Sequence, residues 1–327
     1  MTKLGYQIPN FTYPGVGPDG LFAVVARQAA EADGSGFDTV MVMDHFYQLP
    51  MLGRPEQEML ECYTLLAGLA AHTTRARLGA LVTGNTYRNP ALLAKTVTTL
   101  DLVSGGRAML NIGAGWFELE HTALGFEFGT FTDRFEKLEE ALQIIVPMLR
   151  GERPTVRGKH YTAVDAVNSP LPLGRVPVMI GGVGERKTLR MVAQYADESN
   201  LGCEAHEIPR KLEVLAAHCD ALGRDRREIT VSWQRSTCIA PTHDQAVAEL
   251  KDMLATRGVD YDTLSDEQRT GLLGRFAIGD PDEVAETFAS WLALGVDGFT
   301  VNAVANGHIP ERVALLGETL AKVVPTG

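Results

Sequence analysis

The chain has 327 residues, enough for one large domain or two modest ones. Hydrophobic residues make up 45% and charged residues 22%, a globular balance that excludes disordered, collagen-like and coiled-coil classes. Lys and Arg number 30 against 41 Asp and Glu, and the net charge of −11 has the wrong sign for binding nucleic acid by neutralising its phosphates.

The longest near-apolar run, Cys62 to Ala71, is far below the roughly 20 residues of a spanning helix. Met1 to Gly5 does not begin a signal peptide, so a cytoplasmic protein with no membrane partner is expected. Cys62, Cys203, Cys219 and Cys238 are widely spaced, lack a C-x-x-C pair, and read as reduced thiols.

Eight β-rich runs alternate with amphipathic stretches: Leu4 to Ile8, Asp38 to Met43, Leu78 to Thr83, Ala108 to Ile112, Pro177 to Ile180, Glu198 to Leu201, Ile229 to Ile239 and Gly298 to Val304. Leu21, Val25, Gln28 and Ala32 recur at helical spacing after the first run, as do Leu138, Leu142, Ile145, Val146 and Leu149 after the fourth. Thr242 with Gln245, Ser265 with Gln268, and Asp280-Pro281-Asp282-Glu283 are helix-start signals. Eight such units predict an α/β fold, a (β/α)8 TIM barrel forming a single domain over 1–327. A barrel of this kind takes about 250 residues and leaves roughly 77 over. The spacing of the runs assigns that excess to insertions at about 150–176 and 258–277. Both are expected to leave the carboxyl face and to wall or cover the site.

Three local patterns carry chemistry. The run ending in Asp44-His45 places an ionisable pair at the barrel mouth, where a histidine can exchange a proton near neutral pH; a capping aspartate and a rim histidine would look the same. Asn111-Ile112-Gly113-Ala114-Gly115-Trp116 brings glycine backbone close to a planar or anionic ligand, or makes an ordinary tight turn. Pro177 to Ile180 followed by Gly181-Gly182-Val183-Gly184 and a helix start forms a phosphate turn, with Arg186 and Lys187 as helpers. Arg186 stands where a Walker loop needs glycine, and Lys187 where a dinucleotide fingerprint needs it. No metal site is expected: Glu118-x-x-His121 is a single copy of a di-iron type pair and reads as a solvated helix start. No G-x-S-x-G elbow or Cys-His nucleophile stands out.

The chain resembles the bacterial luciferase-like superfamily, specifically the branch using the deazaflavin coenzyme F420. The resemblance rests on Met43-Asp44-His45-Phe46, Leu81 to Pro90, Leu100-Asp101-x-x-Ser104-Gly105-Gly106-Arg107, Gly113 to Glu118 and Ile180 to Gly184. It implies a luciferase-type barrel with a deazaflavin across the carboxyl face and a non-proline cis peptide at Leu81-Val82 under the cofactor ring. It further implies that Asp44, Ala114, Gly115, Gly181, Gly182, Val183 and Gly184 contact the cofactor and that His45 transfers the proton. Sugar-phosphate-oxidising members carry a tryptophan four residues after this histidine and a glutamate after the G-x-G turn. Here Leu49 and Trp116 stand there, so glucose-6-phosphate oxidation is not implied, and Leu49, Trp116 and Glu120 are the expected substrate-pocket residues, with Glu120 the alternative proton carrier.

The expected function is F420-dependent hydride transfer to or from an unidentified organic small molecule. The alternatives are an FMN-dependent luciferase-like monooxygenase and a non-catalytic F420-binding barrel. A homodimer is compatible with the sequence, which does not name the oligomeric state.

Overall fold

The computed structural model describes residues 3–274 and 276–324. Its strands are β1 (Leu4–Ile8), β2 (Thr39–Val42), β3 (Arg77–Ala80), β4 (Thr83–Gly84), β5 (Leu110–Gly113), β6 (Val156–Arg157), β7 (Thr162–Ala163), β8 (Val178–Gly181), β9 (Glu198–Leu201), β10 (Thr230–Ile239), β11 (Phe276–Gly279) and β12 (Gly298–Asn302). Apart from the β6-β7 antiparallel hairpin, they form one sheet in the order β3-β2-β1-β12-β10-β9-β8-β5-β4, with β11 attached to β10. Every pairing in that sheet is parallel, and a bridge from Leu78 to Ala108 brings its two ends together in a nearly closed barrel.

Alternation along the strands explains the layers. Leu4, Tyr6 and Ile8 of β1, Val40 and Val42 of β2, and Phe299 and Val301 of β12 join the helices in the main core. The opposite positions face the barrel interior, where Met41, Met109 and Met179 form a separate plug with Leu81. Glycines make room for that plug: a Cβ at Gly5 would lie 2.6 Å from Met41 Cε, and one at Gly79 2.6 Å from Met109 Cγ. Above the methionines, Gln7, Asn111, Asn200 and Gln234 make the interior polar toward the carboxyl ends of the strands.

The three helix-start signals are all realised. Thr242 accepts from the Gln245 N–H, Ser265 from that of Gln268, and Asp280 from those of Asp282 and Glu283. The insertions differ from expectation. Residues 150–176 follow the helix Phe131–Leu149 and so begin at the amino face. Only the β6-β7 hairpin climbs back, holding Asp133, Glu136 and Glu140 of that helix through Lys159 and His160. The carboxyl-face excess in this interval is instead 114–130, which contains the helix Glu118–Leu124. Residues 258–277 end inside β11, a four-residue strand too short to separate from loop by pattern; within them, Arg275 lies outside the described residues. No helix among the described residues is long and apolar enough to cross a membrane.

Candidate active site

A cavity of about 770 Å3 opens at the carboxyl face. It gathers chain segments far apart in sequence: Met43 to His45 after β2, Leu81 to Gly84, Gly113 to Trp116 after β5, and Gly181 to Gly184 after β8. Asp44, His45, Leu49, Leu81, Val82, Ala114, Gly115, Trp116, Gly181, Gly182, Val183 and Gly184 all line it. Glu120 does not. Among the described lining residues none comes from 150–176 or 258–277, so neither insertion walls the cavity as expected.

His45 is the best-defined group. Its Nδ1 lies 2.9 Å from Oε2 of Glu120, which is fully buried. The other Glu120 oxygen accepts the N–H groups of Phe46 and Tyr47, and the Tyr87 hydroxyl donates to Oε2. Burial alone would push the Glu120 carboxyl up, but the hydrogen bonds from His45, Tyr87 and the Tyr47 N–H win and hold it below its ordinary value. Glu120 is therefore an anion acting only as acceptor, so Nδ1 must donate and Nε2 is left to the cavity. Trp116 and Phe117 flank the imidazole edge-on at 5.9 and 5.8 Å between ring centroids. These contacts make Glu120 the orienter of His45, a different position from the pocket-facing carboxylate expected from the sequence.

Asp44 lines the wall but is engaged from behind. Arg88 grips it with two hydrogen bonds of 2.7 and 2.9 Å, and the Gly84 N–H donates to it at 3.0 Å. Burial pushes its carboxyl up against the pull of Arg88. The pair ties the end of β2 to the β4 segment. Of the nearby Glu118-x-x-His121 pair, Glu118 is the exposed first residue of its helix as expected, but His121 is fully buried, its Nδ1 2.8 Å from the Phe117 carbonyl and its Nε2 2.7 Å from the Thr86 hydroxyl. The helix packs that face against Tyr87, whose ring stacks on His121 at 4.8 Å.

The peptide between Leu81 and Val82 is cis, as the resemblance implied. Val82 projects between two glycines: a Cβ at Gly113 or at Gly181 would each lie 2.8 Å from one of its methyl carbons. The glycines at these two strand ends thus make room for Val82, which is braced as a raised floor. In the turn after β8, Gly182 has a φ of +127° that side chains rarely adopt. Its N–H is spent on the Asn200 carbonyl at 3.1 Å, whereas those of Val183 and Gly184 donate to no acceptor among the described residues. The helix Thr188–Tyr195 starts just beyond, and Lys187 Nζ lies 5.5 and 5.4 Å from the ring centroids of Phe131 and Phe135. Arg186 is exposed and does not line the cavity.

Sequence reasoning missed Gln7, Asn200 and Gln234 at the cavity floor, and Thr188, Phe131 and Phe135 at its side. A lone polar residue at an inward position of an otherwise apolar strand was a usable signal for Gln7. Nothing local marked Phe131 and Phe135, which arrive on a helix that follows a loop.

The barrel with its cavity at the carboxyl ends defines a luciferase-type architecture. The chain belongs to the luciferase-like monooxygenase family, which it matches over residues 2–298. It is 28% identical over 314 residues to the F420-dependent glucose-6-phosphate dehydrogenase of Microbacterium testaceum, covering 90% of this chain and 89% of that one. It is 29% identical over 321 residues to the protein of the same description from Intrasporangium calvum, covering 90% and 91%. Two solved structures share the fold. An F420-dependent secondary alcohol dehydrogenase superposes with a TM-score of 0.76 at 19% identity over 99% and 98% of the two chains. The FMN-bound oxygenating component of 3,6-diketocamphane monooxygenase from Pseudomonas putida gives 0.76 at 18% identity, also over 99% and 98%. The protein is thus a luciferase-like flavin or deazaflavin oxidoreductase.

Proposed function

We propose that the protein is an F420-dependent oxidoreductase in which His45 gives or takes the proton that accompanies hydride transfer to or from an organic substrate. One observation carries this reading: the buried Glu120 carboxylate holds Nδ1 of His45 at 2.9 Å, which leaves Nε2 as the ring nitrogen for the cavity that His45 lines. The residues suit a deazaflavin. The unpartnered N–H groups of Val183 and Gly184, with the start of the helix Thr188–Tyr195, suit a phosphate. Val82 would support the ring from below, and the Gln7, Asn200 and Gln234 amides would meet its polar edge. Bound there, the deazaflavin supplies the hydride donor or acceptor, while the protein positions it and moves the proton. The F420-dependent relatives at 28% and 29% identity support F420 over FMN.

Titration with each cofactor tests this. F420 is expected to bind with a single violet absorption band, and FMN at least tenfold more weakly. The reverse preference would make the protein an FMN-dependent monooxygenase. Tight F420 binding without turnover of any alcohol, aldehyde or ketone would leave a non-catalytic F420-binding barrel.

A further inference from the structure

We infer that the substrate is an uncharged, largely apolar carbonyl compound or the corresponding alcohol, not a phosphorylated sugar. Resting on the F420 reading, the inference deepens it by naming the substrate class. Among the described residues lining the cavity, the charged or titratable side chains are Asp44, His45 and Tyr87; none is Lys or Arg. Asp44 is already matched to Arg88, and His45 stands on the buried Glu120 carboxylate. The wall behind His45 therefore carries the Glu120 carboxylate beside an Asp44–Arg88 pair that already cancels, and an anionic substrate would meet no unmatched cation among the described residues lining the cavity. Lys187 does not supply one there, because its ammonium rests over Phe131 and Phe135 beside the turn assigned to the cofactor phosphate.

The surroundings of His45 are apolar. Trp116 and Phe117 flank the imidazole, and Leu49, Met43 and Phe117 form a packed cluster beside it. At the rim on this side, Trp116 is 53% exposed and Met51 63%. Large apolar side chains left uncovered around a cavity mark a surface that an apolar molecule covers. One polar group within such a wall recognises one polar atom. That atom is the carbonyl oxygen, which accepts a hydrogen bond from Nε2–H of the imidazolium while the apolar body lies against Trp116, Leu49 and Met51; for the alcohol, the hydroxyl donates to the bare Nε2 of the neutral ring.

The chemistry balances in the reductive direction. Hydride from the reduced deazaflavin would form a C–H bond at the carbonyl carbon, the C=O π pair moves to oxygen, and that oxygen takes the proton on Nε2 of the imidazolium form of His45, leaving the neutral ring with its remaining proton on Nδ1 toward Glu120. The carbonyl is reduced to an alcohol and the deazaflavin is oxidised; the alcohol reacts by the reverse path.

Two measurements test the inference. The first needs no cofactor: acetophenone is expected to quench Trp116 fluorescence, with Trp116→Phe as the control for the other tryptophans, and to bind at least tenfold more tightly than glucose 6-phosphate. The second compares kcat/KM for 1-phenylethanol and glucose 6-phosphate with oxidised F420. A preference of at least 100-fold for 1-phenylethanol is expected, and Trp116→Ala should raise its KM about tenfold while changing kcat and F420 affinity less than threefold. Equal or tighter binding of glucose 6-phosphate, or its faster oxidation, would overturn the inference. Failure to bind F420 would overturn the cofactor reading alone, since the quenching experiment stands without it.

Discussion

At the scale of single residues, the site depends on a histidine and the carboxylate that orients it. If His45 moves the proton, His45→Asn should lower turnover by about 10²- to 10⁴-fold, with F420 affinity changed less than tenfold because the histidine contributes little to holding the cofactor. Steady-state kinetics and fluorescence titration check both; turnover within threefold of wild type would make His45 a rim residue. Glu120 acts through His45, so Glu120→Gln should lower kcat more than it raises KM and should alter the pH profile. It should also cost about 2 kcal/mol of stability, the scale of hydrogen bonds to a charged group. The pH dependence has a definite sign. The Glu120 carboxyl is held below its ordinary value in the folded protein, so its contribution is present at neutral pH and is lost as pH falls through that lowered value. The difference in thermal midpoint between wild type and Glu120→Gln should therefore be largest near neutrality and shrink under acid.

At the scale of elements, the cavity floor is a fit between a side chain on one strand end and missing side chains on two others. Gly181→Ala would place a Cβ 2.8 Å from a Val82 methyl. Overpacking of this kind costs about 1–3 kcal/mol, and the displaced floor should weaken cofactor binding at least tenfold. Adding Val82→Ala removes the obstructing methyl groups and should restore much of both losses, as measured by denaturation and titration. If the double variant binds no better than Gly181→Ala, Gly181 is needed by the ligand itself and not by Val82.

At the scale of the whole molecule, cofactor binding and folding are linked because the cavity is assembled where β2, β4, β5 and β8 end together over a floor from β1, β9 and β10. A ligand at about 100 times its Kd stabilises the state that binds it by about 2.7 kcal/mol. For a chain of this length that raises the thermal midpoint by about 4 °C. F420 should produce this shift in a thermal melt and equimolar FMN should not; a shift with FMN alone would reverse the cofactor assignment.

Much of this protein is legible along the chain because it is written in local patterns. Each of the eight barrel strands lies at or within a few residues of one of the β-rich runs, and the three helix starts follow from hydroxyl, carboxylate and amide groups at fixed offsets. The cavity residues after β2, β5 and β8 were legible for a related reason: strand ends followed by His or Gly are short contiguous motifs. Tertiary structure alone decided how those segments complete one another. Glu120 beneath His45, Arg88 behind Asp44, and Val82 between Gly113 and Gly181 each join residues at least 30 positions apart, and no periodicity or cap encodes such a distance. The insertion at 150–176 was misplaced because interval length reveals how much chain is extra, while only packing against the helix Phe131–Leu149 determines which face of the barrel it occupies.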